Sequence, residues 1–251
     1  MCRHLAYLGP PVPLSRLLFD PPHGLAHQSW APRDMRGGGT INADGFGLGW
    51  FPPVLSERLP VVYRSARPLW SDPALPGLAA ATSSGAVLAA VRSATVGMPV
   101  TESAAAPFHD GPWLFSHNGR ITGWPDSVVD VAAGLPVRDL ITLDAPTDSA
   151  LLWALVRARL RAGATLGDAL SSVVTSVAAA APGSRLNLLL TDGQSIAAVV
   201  YGHALSVLAS EGSVLVASEP VDDDPGWRAV PSLSLLVADP SAVHISEGAF
   251  A

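Results

Sequence analysis

Apolar positions along this chain recur with two different periods, and the change between them divides it into three parts. Residues 2–8 predict a short strand that begins at the first residues of the chain. Residues 10–36 are rich in loop formers, with one helical stretch around 14–18. Residues 45–51 and 59–64 predict strands, and 86–91 and 113–116 are continuous apolar runs of the kind that is buried on both faces. The period then becomes helical. Leu151, Leu152, Leu155, Val156 and Leu160 lie on one face of a helix over 147–161, with Thr147 or Asp148 as its N-cap and Gly163 as its stop. A second helix over 166–180 follows Thr165 and ends before Pro182. Alternation returns at 185–190 and 195–201, which flank the turn pair Asp192-Gly193, and continues at 204–208, 214–218 and 233–237. Strands, then two adjacent helices, then strands again predict an α+β fold, with mostly antiparallel sheets and the helices outside them.

Composition narrows the chemistry. The 251 residues fit a single domain spanning 1–251, and a net charge of −6 with 14% charged residues leaves no basic stripe for nucleic acid. No window of 18 residues is uninterruptedly apolar, and no basic stretch followed by a long apolar run opens the chain. A cytoplasmic protein without membrane contact is expected. All 15 basic residues are arginine, which excludes a Schiff-base lysine, a pyridoxal-phosphate lysine and a Walker P-loop. The one cysteine, Cys2, excludes an intramolecular disulfide and a cysteine-cluster zinc site, and no metal or cofactor is expected.

The position of that cysteine carries the chemistry. A free cysteine is ordinarily a small buried hydrophobe. At position 2, loss of Met1 gives one residue both a thiol and an α-amino group with an ordinary pKa of about 7.7–8.0, so the amine can take the thiol proton. Asn118-Gly119, just after the apolar run 113–116, reads as a turn or as an oxyanion hole made by a side-chain amide and a backbone N–H. Arg92, which opens Arg92-Ser93-Ala94-Thr95, ends a buried strand as an ion-pair partner or as a two-point grip on a carboxylate. Asp148 reads equally as a helix cap or as a partner for an ammonium group.

Cys2, Arg92, Asn118-Gly119 and Asp148, in this order and spacing, resemble class II glutamine amidotransferase domains, which are N-terminal-nucleophile hydrolases. The likeness extends through 42–50 and Ala217-Ser218-Glu219-Pro220, essentially the whole chain. It implies a four-layer αββα sandwich. It also implies that Cys2 attacks a γ-glutamyl amide, that Asn118 and Gly119 hold the oxyanion, and that Arg92 and Asp148 hold the substrate's α-carboxylate and α-amino groups, with Thr95 beside them. The start Cys2-Arg3-His4-Leu5-Ala6-Tyr7-Leu8-Gly9, with His27-Gln28-Ser29-Trp30-Ala31-Pro32-Arg33, is similar to the stand-alone hydrolase branch of that family. That branch acts on γ-glutamyl-hercynylcysteine sulfoxide in ergothioneine biosynthesis.

The small-molecule substrate this implies carries a trimethylammonium group, and Trp30 and Trp50 are expected to face it through their rings. Arg33 and Arg36 are the candidates for its betaine carboxylate, and His117 reads as structural support without a proton-transfer role. Three other readings use the same residues: a glutaminase subunit feeding ammonia to a separate synthetase, a hydrolase for another γ-glutamyl amine, and a non-catalytic γ-glutamyl-binding module. Homo-oligomerisation is left open by the sequence.

Overall fold

A strand that is apolar on both sides needs cover on both sides, and two stacked sheets with helices outside them supply it. The computed structural model describes residues 2–34, 41–53 and 59–250. Its strands, in chain order, are β1 (Arg3–Pro13), β2 (Phe46–Trp50), β3 (Val61–Ser65), β4 (Ser83–Val91), β5 (Phe108–Asp110), β6 (Trp113–Arg120) and β7 (Arg185–Thr191). They continue as β8 (Ile196–Val200), β9 (Ser206–Ser210), β10 (Ser213–Ala217), β11 (Arg228–Ala229), β12 (Ser234–Asp239) and β13 (Ala242–Ser246). One sheet has the order β11-β9-β10-β1-β4-β2-β3 and the other β13-β12-β8-β7-β6-β5. The pairings within both are antiparallel.

Side-chain alternation sorts the core into three layers. Ala6, Leu8, Leu88, Leu114, Leu189 and Ala198 meet between the sheets. Their neighbours Phe115, Leu188, Leu190 and Val199 point the other way, against the helices Asp148–Arg161 and Leu166–Ala180. Leu5, Phe46, Leu48, Val87 and Ala89 face the opposite outer layer, which is thin and built from the short helices Ser15–Leu18, Leu25–Gln28 and Leu75–Ala81. This is the expected α+β sandwich of two antiparallel sheets. Among the described residues no helix is long and apolar enough to cross a membrane.

Two expectations are corrected. The strand that opens the chain runs to Pro13, through a stretch expected to be loop. Pairing with β10 ends at Leu8, and a register shift against β4 follows between Leu8 and Val12. The prolines at 10, 11 and 13 therefore lie where one edge of β1 has no partner and a missing N–H costs nothing. The N-cap of the first long helix is Thr147, whose hydroxyl accepts the Ala150 N–H at 3.2 Å. Capping thus does not account for Asp148.

Candidate active site

Cys2 is half-buried at the start of β1, a strand flanked by β4 and β10 in the middle of its sheet. Residues at a chain terminus are commonly mobile, but here Arg3 pairs with Val91 and Leu5 with Ala217, so the residue next to Cys2 is already tied into the sheet. The Cys2 thiol donates to the Ser93 carbonyl at 3.7 Å. A small cavity of about 20 Å³, room for one water, brings Cys2 together with Arg92, Ser116, His117 and Ser149.

Asn118 is buried, its Oδ1 has no partner, and its amide makes no hydrogen bond among the described residues. It faces Asn187 across the β6–β7 ladder. Leu186 sends its N–H to Tyr201 rather than to β6, so the alternation of the ladder turns the Gly119 N–H away from β7. That edge of β6 is open, because β5 pairs only as far as Phe115. The next N–H on the same edge, that of Ile121, goes to Asp148 Oδ2 at 3.0 Å. Gly119 has φ +157°, and a Cβ there would lie 1.8 Å from the Arg185 carbonyl oxygen, so no larger residue fits between the strands.

Asp148 is buried and accepts only backbone N–H groups at close range, from Ile121 and, at 2.8 Å, from Ser149. Its charge has no cationic side chain against it among the described residues. It lines a cavity of about 480 Å³ with Thr95, Arg120 and Trp124. Arg92 is not in that wall. Its Nη1 donates to the Pro99 carbonyl at 2.8 Å and lies 3.4 Å from the Asp44 carbonyl, while the Asp44 carboxylate accepts the Ala94 N–H. Arg92 is therefore held by backbone oxygens beside Cys2, and the arginine on the cavity wall is Arg120, which the sequence reading passed over.

Both ring nitrogens of His117 are engaged. The ring donates from Nε2 to the Arg185 carbonyl at 3.0 Å, so its Nδ1 accepts the Ser149 hydroxyl at 2.9 Å. Burial lowers its pKa, partly opposed by Asp148. His4, also buried, meets the Ser116 hydroxyl at 3.0 Å, and burial with His117, His203 and Arg3 nearby pushes its pKa down to about 3.

The leaving-group candidates separate. Trp30 is 47% exposed, edge-on to His27 and Trp70 with ring centroids 5.6 and 6.1 Å away. Trp50 is buried in the outer core, opposite Val87, four register positions along β2 from the Phe46–Val91 pair that lies beside Arg3. The structure does not bring Trp50 to Cys2. The Arg33 guanidinium bonds to Asp223 and His23, and its backbone N–H to Glu219. Arg36 and Met1 lie outside the described residues.

Arg3 and Glu219 were not anticipated. Arg3 is fully buried, donates to the Cys2 and Asp34 carbonyls, and holds its Nε 3.9 Å from Glu219. The only signal was the place of Glu219 in the 217–220 motif.

Residues 19–212 match the family model of class II glutamine amidotransferases, and the chain belongs to that family. It is 44% identical over 236 residues to the gamma-glutamyl-hercynylcysteine sulfoxide hydrolase of Mycolicibacterium smegmatis, covering 94% of this chain and 95% of that one. It is 43% identical over 246 residues to the protein of the same name from Mycobacterium tuberculosis strain H37Rv, covering 98% and 96%. A solved glutamine aminotransferase class-II domain protein from Silicibacter pomeroyi shares the fold, with a TM-score of 0.70 at 23% identity over 100% of both chains.

Proposed function

We propose that this chain is an amidohydrolase that cleaves the γ-glutamyl amide of γ-glutamyl-hercynylcysteine sulfoxide, releasing glutamate and hercynylcysteine sulfoxide. The observation that carries the reading is similarity at 43–44% identity, over nearly the full length of both chains, to hydrolases named for that substrate. The open amide of Asn118, the Gly119 N–H on the free edge of β6, and the cavities lined by Cys2 and by Asp148 support it.

The reaction runs through a thioester. With Met1 removed, the Cys2 amine takes the thiol proton, and the thiolate attacks the amide carbon. The Asn118 amide and the Gly119 N–H hold the oxyanion. The ammonium then gives its proton to the departing nitrogen, and the C–N bond breaks. Water attacks the thioester, the amine takes its proton, and collapse returns that proton to the leaving thiolate. Asp148 receives the substrate's ammonium in the 480 Å³ cavity, lined also by Thr95 and Arg120, and Arg92 takes the α-carboxylate from the adjoining small cavity that it shares with Cys2.

Steady-state rates with the conjugate and with glutamine, together with intact mass, test this. Conjugate turnover well above ammonia release from glutamine is expected, as is addition of a glutamine-like electrophile to protein lacking Met1. Ammonia release at rates matching the conjugate would identify a glutaminase subunit. Full activity with Met1 retained would overturn the mechanism, because the base would then be an amide.

A further inference from the structure

A second cavity, of about 540 Å³, opens beside Arg3, and its wall includes Arg33, Asp34, His203, Ser206, Ser218 and Glu219. Its size is that of a small-molecule site. Most of its polar groups are occupied by the protein itself. Glu219 accepts the Arg33 and Asp34 N–H groups at 3.2 and 2.8 Å and faces Arg3. The Arg33 guanidinium is paired with Asp223, and the Ser218 hydroxyl accepts the His4 N–H at 3.0 Å.

His203 is different. Its backbone is clamped on both sides by the Asn187 side chain, which accepts its N–H at 3.1 Å and donates to its carbonyl at 3.2 Å. Asn187 is also the cross-strand partner of Asn118, so the backbone that carries His203 is tied to the candidate oxyanion residue. The ring, by contrast, has no hydrogen bond at either nitrogen among the described residues, although the residue is only 3% exposed. Buried side-chain polar atoms are nearly always satisfied, and a ring left open at both ends in a cavity wall is a place for a ligand atom. Burial, with Arg185 and Arg3 nearby, holds its pKa down at about 4. At working pH the ring is neutral and offers one N–H donor. Among the described residues the wall holds one arginine, Arg33, and its guanidinium is paired with Asp223, so they offer no unpaired guanidinium fork to a carboxylate.

We propose that His203 is a specificity residue for the amine half of the substrate, donating a hydrogen bond from its ring to a neutral, strongly polarised oxygen of the sulfoxide type. This rests on the hydrolase reading. A thioether analogue lacks that oxygen and leaves the buried donor unpaired, the situation in which polar sites reject an analogue most strongly.

The experiment is steady-state kinetics of the full chain on the γ-glutamyl conjugate in its sulfoxide and thioether forms. The native protein is expected to favour the sulfoxide in kcat/KM by about 10²-fold. His203→Leu should bring that ratio close to one, mainly through KM for the sulfoxide, and His203→Gln, which restores a donor, should recover part of it. Thermal unfolding of both variants accompanies the kinetics, and the Gln variant carries the test if the Leu variant does not fold. Turnover of both conjugates with a ratio unmoved by either variant, or with parallel losses on both, overturns the role of His203 alone. Turnover of neither conjugate by the native protein overturns the hydrolase reading as well.

Discussion

The cavity that holds Asp148 and the cavity that holds His203 are close in size and opposite in how they present charge. The one holding Thr95 and Asp148 measures about 480 Å³ and is built from the loop after β4, the end of β6 with the loop that follows, and the start of a helix. Its carboxylate is buried and bonded to the Ile121 and Ser149 N–H groups, with the Ser149 hydroxyl 3.5 Å away, and no cationic side chain is paired with it among the described residues. The one holding Arg33 and His203, about 540 Å³, has its carboxylate and guanidinium groups engaged internally and leaves a neutral ring open. A site that must grip an amino-acid head group keeps charge available, and a site that must sort one neutral oxygen from none withholds it. That division is the one expected of an enzyme whose acyl half is a common metabolite and whose amine half is particular.

The strongest perturbation should ignore the difference between the cavities. Cys2→Ala removes the proposed nucleophile and should lower turnover of every γ-glutamyl substrate by a factor on the order of 10⁴ or more, read by glutamate release. Asn118→Ala should come next, with kcat down by about 10²–10³ and KM little changed, equally for the sulfoxide and thioether conjugates. Asp148→Asn loses the charge and keeps one carbonyl oxygen for either the Ile121 or the Ser149 N–H, which the carboxylate accepts on different oxygens. KM should rise by about tenfold or more for each γ-glutamyl substrate while the sulfoxide preference stays where it was. A change in that preference would mean that the cavities do not divide the substrate as described.

The last expected effect is on stability rather than on turnover. His4 and His203 have folded pKa values of about 3 and about 4, below the ordinary 6.5 that the unfolded chain would show. Below pH 6.5 the unfolded chain takes up protons that these buried rings refuse, so stability falls as the pH drops. The slope is at most about 1.4 kcal/mol per pH unit for each ring, ending near pH 4 for His203 and near pH 3 for His4. Urea unfolding at several pH values between 7 and 4 should show this slope, and His203→Leu should flatten it by one ring's share.

What could be read from the sequence followed local signals. The helix Asp148–Arg161 was legible because a capping threonine, a helical apolar face and Gly163 agree, and the β7–β8 hairpin because Asp192-Gly193 lies between two apolar runs. β5, with three residues, and β11, with two, are too short to show a period, and β13 buries none of its residues fully. The helices Leu75–Ala81, Val129–Ala133 and Val137–Ile141 are similarly brief. Cys2, Asn118 and Asp148 could be proposed because each lies at the boundary of a legible element. Trp50 lies in β2, which is buried on both faces, and a tryptophan there can be core as readily as contact surface. Arg3, Glu219 and His203 acquire their roles only through the pairing of β1 with β10 and the reach of Asn187, contacts between residues far apart in the chain that no local pattern announces.

The anchoring of β1 between β4 and β10 has a practical side. The first residue of the working protein would be a fixed part of the sheet rather than a loose end, so anything joined ahead of Cys2 would turn its amine into an amide and push bulk toward the cavities on either side. Production of this protein should therefore place affinity handles at the far end of the chain, beyond β13. Where a leading tag is unavoidable, its cleavage must leave cysteine as the exposed first residue.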